Sequence, residues 1–128
     1  MYERVGVSPD KDILKEINFW DNVRREKAHA IIRQIEEQAL QNMSLMKGAL
    51  ELGRWCEKKS IPMALVTRNT ASSVAYFHKM LWSPNPHFNP AVARDSHADL
   101  AHKPNPSALL FCSKVWRVPA HNLVMIGK

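Results

Sequence analysis

The chain has 128 residues, a formal net charge of +6 and a pI near 9.6, with 45% apolar and 23% charged residues. A domain of this size buries roughly two-thirds of the surface its unfolded chain exposes, so this balance excludes a disordered segment. No stretch approaches the ~20 apolar residues of a membrane span, and bases interspersed with acids, as in Arg24-Arg25-Glu26-Lys27 and Glu57-Lys58-Lys59, argue against a nucleic-acid face.

Cys56 and Cys112 are isolated, which reads as two buried free thiols in a reducing compartment. The first residues, Met1-Tyr2-Glu3-Arg4-Val5-Gly6, lack the apolar core of a secretory signal, so an intracellular, cytoplasmic location is expected.

Ser8-Pro9-Asp10 reads as a helix start, with Ser8 accepting from an early N–H and Pro9 at the first helical position. A short helix follows with Ile13, Leu14 and Ile17 inward. From Asp21 to Met43 the apolar residues Val23, Ile31, Ile35, Ala39 and Met43 recur at near-helical spacing, which predicts a long second helix. Gly48 opens a further helix through Leu50, Leu52, Trp55 and Cys56.

The period then changes. Met63 to Thr67, preceded by Pro62, predicts a buried strand. Asn69 is placed to cap a helix carrying Val74, Phe77, Met80 and Leu81, and Trp82-Ser83-Pro84-Asn85-Pro86-His87 reads as a loop. Ala91-Val92-Ala93 predicts a second strand, Asn105-Pro106 opens a helix with Leu109, Leu110, Cys112, Val115 and Trp116, and Leu123 to Gly127 predicts a third buried strand. Alternation of this kind implies a parallel, Rossmann-like sheet with flanking helices, whose ligands bind where the strands' carboxyl ends gather.

Thr67, Asp95 with Lys103, and Gly127-Lys128 fall at three such ends. The Thr67 hydroxyl, with N–H groups of Arg68 and Asn69 at a helix start, suits a phosphoryl oxygen, and a lysine at the same edge offsets phosphoryl charge. His78, His87, His97, His102 and His121 lack the spacing of a zinc site and read as surface or loop residues, so no metal ligands are assigned.

Four runs in order, Met46-Lys47-Gly48-Ala49-Leu50-Glu51-Leu52, Ile61-Pro62-Met63-Ala64-Leu65-Val66-Thr67-Arg68-Asn69, Lys103-Pro104-Asn105-Pro106 and Val124-Met125-Ile126-Gly127, resemble the haloacid dehalogenase superfamily, in particular its phosphoglycolate-phosphatase-like members. The resemblance implies a helical cap portion over residues 1–44 and a partial α/β core over 45–128. It implies that Thr67 binds the transferring phosphoryl group, that Lys103 is the conserved-motif lysine acting with it, and that Arg68 and Asn69 add phosphate or substrate contacts. The parent reaction would be Mg²⁺-dependent hydrolysis of a small phosphorylated metabolite through an aspartyl-phosphate.

Two departures limit this. No Asp-x-Asp follows an apolar strand, since Asp10-Lys11-Asp12 has the spacing only formally and reads as helix-start acids. Lys128 stands where a metal-binding Asp is expected, and an ammonium cannot ligate Mg²⁺. The expectation is therefore a chain truncated at both ends that binds no Mg²⁺ and lacks the nucleophile. Its open strand edges could support an oligomer. The alternative is a non-catalytic phosphate-binding or protein-interaction module.

Overall fold

A computed structural model describes residues 1–127. The chain forms two compact units, Met1–Met43 and a second that begins at Ser44.

In the first unit, short apolar segments are tied down by local polar bonds. Helix α1 (Tyr2–Val5) stops at Gly6, whose φ of 81° is a left-handed conformation that glycine adopts without strain. Helix α2 (Ile13–Ile17) is capped by Asp12, whose carboxylate accepts from the N–H groups of Leu14 at 3.1 Å and Lys15 at 3.3 Å. Ser8 is thus not the cap: its hydroxyl donates to the Asp10 carboxylate, and its carbonyl accepts from Lys11 N–H to close a turn. That carboxylate sits below its usual pKa range, chiefly because of the Ser8 hydroxyl. The formal Asp10-x-Asp12 spacing therefore resolves into a turn residue and a cap, neither on a strand.

Asp21 caps helix α3 (Asn22–Gln41) through Arg24 N–H at 3.0 Å. Val5, Val7, Ile13, Ile17, Ala28 and Ile32 form the core of this unit, with Tyr2, Leu14, Trp20 and Ile31 packed against it. Complete burial of a residue such as Ile17 stabilises by roughly 1.5–3 kcal/mol. The inward face of α3 is centred on Ala28 and Ile32, not on the predicted Val23 and Ala39, which are exposed. The few aliphatic side chains brought by α1 and α2 cover α3 only around those two positions.

In the second unit, Gly48 at φ 86° begins helix α4 (Ala49–Lys58), which turns Gly53 and Cys56 inward. Strand β1 (Leu65–Val66) leads to helix α5 (Ala71–Phe77), which passes into a π-helical turn, His78–Trp82. Strand β2 (Ala91–Val92), helix α6 (Ser107–Trp116) and a 3₁₀ turn (Ala120–Asn122) follow.

β1 and β2 pair in parallel, Leu65 opposite Ala91 and Val66 opposite Val92. Leu65 N–H donates to Pro90 at 3.0 Å and Thr67 N–H to Val92 at 2.9 Å, while Asn89 N–H to Met63 and Arg94 N–H to Asn69, both 2.9 Å, extend the contact at each end. A parallel pair joined through a helix is consistent with part of an α/β fold.

Among the described residues the sheet has two strands. The predicted third strand is not formed: after the 3₁₀ turn the backbone is extended at Leu123, but Val124, Met125 and Ile126 are 87%, 55% and 75% exposed. An apolar run becomes a buried strand only when a ladder and two covered faces are available, and this run has neither. Lys128 lies outside the described residues.

Other expectations shift. Trp82 is 4% exposed and closes the π-helical turn, with its indole N–H donating to Pro86 at 2.8 Å, so the loop starts one residue later. On α6 the buried residues are Ala108 and Cys112, while Leu110 and Val115 are exposed. On α4, Leu52 and Trp55 are likewise exposed. Both cysteines are free and buried, as read from the sequence, and burial pushes the Cys112 thiol pKa up. No described helix is long and apolar enough to cross a membrane.

Candidate functional site

The sequence-predicted residues Thr67, Arg68 and Asn69 occupy the bend between β1 and α5, at the carboxyl end of β1. The bend is shaped by its own side chains. Thr67 Oγ1 accepts from Asn69 N–H at 3.1 Å, and Thr70, not Asn69, caps α5, its Oγ1 accepting from Ser73 N–H at 3.3 Å. A hydroxyl at the cap can reach back to the second or third N–H of the helix, whereas Asn69 sits one residue too early for that reach.

The loop after β2 closes onto this bend. Arg94 N–H donates to the Asn69 carbonyl, and Asp95 Oδ1 accepts from Ala71 N–H at 2.7 Å. The bend therefore already has an anion of its own, a carboxylate at the first N–H of α5. Asn69 N–H is not available in this arrangement, which corrects the reading that gave it to an incoming phosphoryl oxygen. The Thr67 hydroxyl still has a proton to donate and a second lone pair, because a hydroxyl offers one donor and two acceptor positions.

Lys103 is half-buried in the loop between β2 and α6. Its turn is pinned to the start of α6: Asn105 N–H donates to His102 at 3.0 Å, Asn105 Oδ1 accepts from Ser107 N–H at 2.9 Å, and Ser107 Oγ donates to Ala101 at 3.2 Å. Arg68 and Lys103 both already interact with neighbouring groups. The described hydrogen bonds thus join Thr67–Ala71 to Arg94–Asp95, while those around Lys103 tie its flanking residues to the start of α6.

Asp95 is the residue whose role the sequence reading missed, although it placed Asp95 at the same sheet edge. An Asp just after a strand carries no spacing signal that names its partner 24 residues earlier. His78 is a second miss: it is 5% exposed in the π-helical turn, not a surface or loop residue.

Charge is divided unequally along the chain. Residues 44–128 hold 11 Lys and Arg against 4 Asp and Glu, whereas residues 1–43 hold 7 against 8. The attraction for anions therefore resides in the unit that carries Thr67 and Lys103. Among the described residues no group of three or more His, Cys, Asp or Glu could hold a metal ion. Mg²⁺ takes several oxygen donors, and at the bend the described hydrogen bonds bring in one carboxylate, that of Asp95.

Over 116 residues, 91% of its length, the chain is 31% identical to a haloacid dehalogenase-like hydrolase domain-containing protein of Arabidopsis thaliana. That similarity supports the haloacid dehalogenase superfamily. The chain spans 45% of the length of this haloacid dehalogenase-like relative. No protein-family model matches the chain, and no solved structure matches it.

Proposed function

We propose that these 128 residues are part of a haloacid dehalogenase-like hydrolase of the phosphoglycolate-phosphatase-like type, with residues 1–44 as part of a helical cap. The parent activity is Mg²⁺-dependent hydrolysis of a small phosphomonoester inside the cell. In this reading the Thr67 hydroxyl donates to a phosphoryl oxygen, the Lys103 ammonium offsets phosphoryl charge, and Arg68 and Asn69 line the same edge. The observation that carries it is the parallel β1–β2 pair, which puts Thr67 at a strand's carboxyl end with the β2 loop bonded across it, in a chain related to a hydrolase of that superfamily.

An aspartyl-phosphate route needs a carboxylate nucleophile, and the residues described here do not present one on a strand beside Thr67. The 128-residue chain should therefore bind phosphate without turning over phosphomonoesters. Calorimetric titration with inorganic phosphate tests the first half: binding that is lost in Thr67→Ala and Lys103→Ala is expected, and absence of binding by the unmodified chain overturns it. Mg²⁺-dependent turnover of p-nitrophenyl phosphate by the same chain overturns the second half.

A second reading, a non-catalytic interaction module, is favoured by one observation, the exposure of Val124, Met125 and Ile126. Contiguous exposed apolar residues mark contact surfaces in soluble proteins.

A further inference from the structure

The π-helical turn after α5 holds a histidine pair that neither the sequence motifs nor the phosphate reading uses. His78 is buried, and its ring lies parallel to that of His87, with centroids 4.2 Å apart and planes 3° from parallel. Its Nε2 accepts from Phe88 N–H at 3.1 Å. A ring nitrogen that accepts is unprotonated, so His78 is the neutral tautomer with its proton on Nδ1. The rings of Phe77 and Phe88 lie 5.7 Å and 5.8 Å from it.

From these contacts we propose that His78 and His87 form an acid-sensitive latch, which holds the 83–90 loop, and through it the β1–β2 pairing, while His78 is neutral and releases it when His78 is protonated. A proton on Nε2 would place two donors face to face, His78 Nε2–H and Phe88 N–H, and end that bond. It would also charge a ring stacked on another titratable ring.

The next two residues transmit the change. Asn89 N–H donates to Met63 and the Pro90 carbonyl accepts from Leu65 N–H, so Phe88 is one residue from the first bonds of the parallel pair. Thr67 and the Arg94–Asp95 bridge lie at the other end of the same short ladder. His87 is the titratable group that acts on His78, and the remaining rings around it are uncharged at any pH of interest.

The direction of the effect follows from burial first and His87 second, both of which lower the His78 pKa from 6.5. A histidine with a depressed folded-state pKa contributes its full stability above the unfolded value. That contribution is lost as pH falls below 6.5 toward the folded value. The latch is thus closed at neutral pH and opens in acid.

Amide hydrogen exchange of the full chain, followed residue by residue by NMR and corrected for intrinsic rates, tests this. Between pH 7.5 and pH 5 the protection of the Phe88 and Leu65 amides should fall roughly fivefold to tenfold, the equivalent of one lost hydrogen bond. Gln at position 78 can accept from Phe88 N–H and does not titrate, so His78→Gln should abolish that fall. Unchanged protection in the original chain, or the same fall in His78→Gln, overturns the latch. Should His78→Gln not fold, a ring titration of the original chain decides: His78 must titrate below the same residue in urea, and an equal or higher value overturns the proposal.

Discussion

Gly53 offers a test whose sign separates packing from propensity. It lies in the middle of α4, where replacing Gly by Ala ordinarily stabilises a helix by about 0.5–1 kcal/mol. Here an added Cβ would lie 2.6 Å from Trp82 Cζ2, from Trp82 Cη2 and from Asn85 Nδ2. Each atom must retreat by about 0.8 Å to reach 3.4 Å, the near limit of ordinary contact. None has room to do so cheaply.

The Trp82 ring is stacked on Phe88 at 4.7 Å and on Phe77 at 5.7 Å, and its N–H is bonded to Pro86. Asn85, 5% exposed, donates from Nδ2 to the Leu50 carbonyl at 3.3 Å. Overpacking of this kind costs about 1–3 kcal/mol, and a displaced Asn85 amide left without its acceptor adds about 1 kcal/mol or more. Net of the propensity gain, Gly53→Ala should therefore lower the unfolding free energy by about 1–3 kcal/mol, read from urea denaturation followed by tryptophan fluorescence with an unchanged slope. A variant as stable as the original chain, or more stable, would refute the close approach of α4 to Trp82.

Two further outcomes follow from the second unit. Asp95→Ala removes the carboxylate from Ala71 N–H and should cost about 1 kcal/mol, with faster amide exchange confined to the first turn of α5, while Asp95→Asn recovers most of the loss. No difference between the alanine variant and the original would mean that the 2.7 Å bond does not hold the bend. For the interaction-module reading, sedimentation velocity should show concentration-dependent association of the chain that Val124→Asp with Ile126→Asp abolishes, whereas a monomer at every concentration removes that reading.

Particular residues show what the sequence carries. The parallel pair was legible because Met63 to Thr67 is a dense apolar run framed by Pro62 and Asn69, and because helical periods on both sides require a crossover. The two free cysteines follow equally local rules, whereas Ser8-Pro9 mimicked a helix start that Asp12 makes four residues later. The third strand was not legible as absent, since Leu123 to Gly127 has the composition of a buried strand and only the lack of a pairing partner keeps it exposed.

On α3 the predicted stripe was misplaced, and on α4 and α6 the inward residues were not legible, for a related reason. Periodicity marks the apolar stripe, but which part of it is covered depends on what packs there: Gly53 faces inward because Trp82 fills the space beside it. At the candidate site the residue types were readable and their bonding was not. Nothing in the order Thr67-Arg68-Asn69-Thr70 states that Thr67 turns its oxygen back onto Asn69, or that Asp95 reaches Ala71. The first is a local turn bond, and the second exists because β2 lies beside β1, a fact that resides in the pairing and not in either segment.

The central claim is that Thr67 and Lys103 belong to one phosphate-binding edge. Titration of isotopically labelled chain with inorganic phosphate, followed through the Thr67 and Asn69 amides and the Lys103 ammonium, tests it most directly. The account predicts that all three signals move together with one saturation curve, and that Thr67→Ala removes the response at Lys103 as well. Independent curves for the two residues, or no response at either, would contradict it.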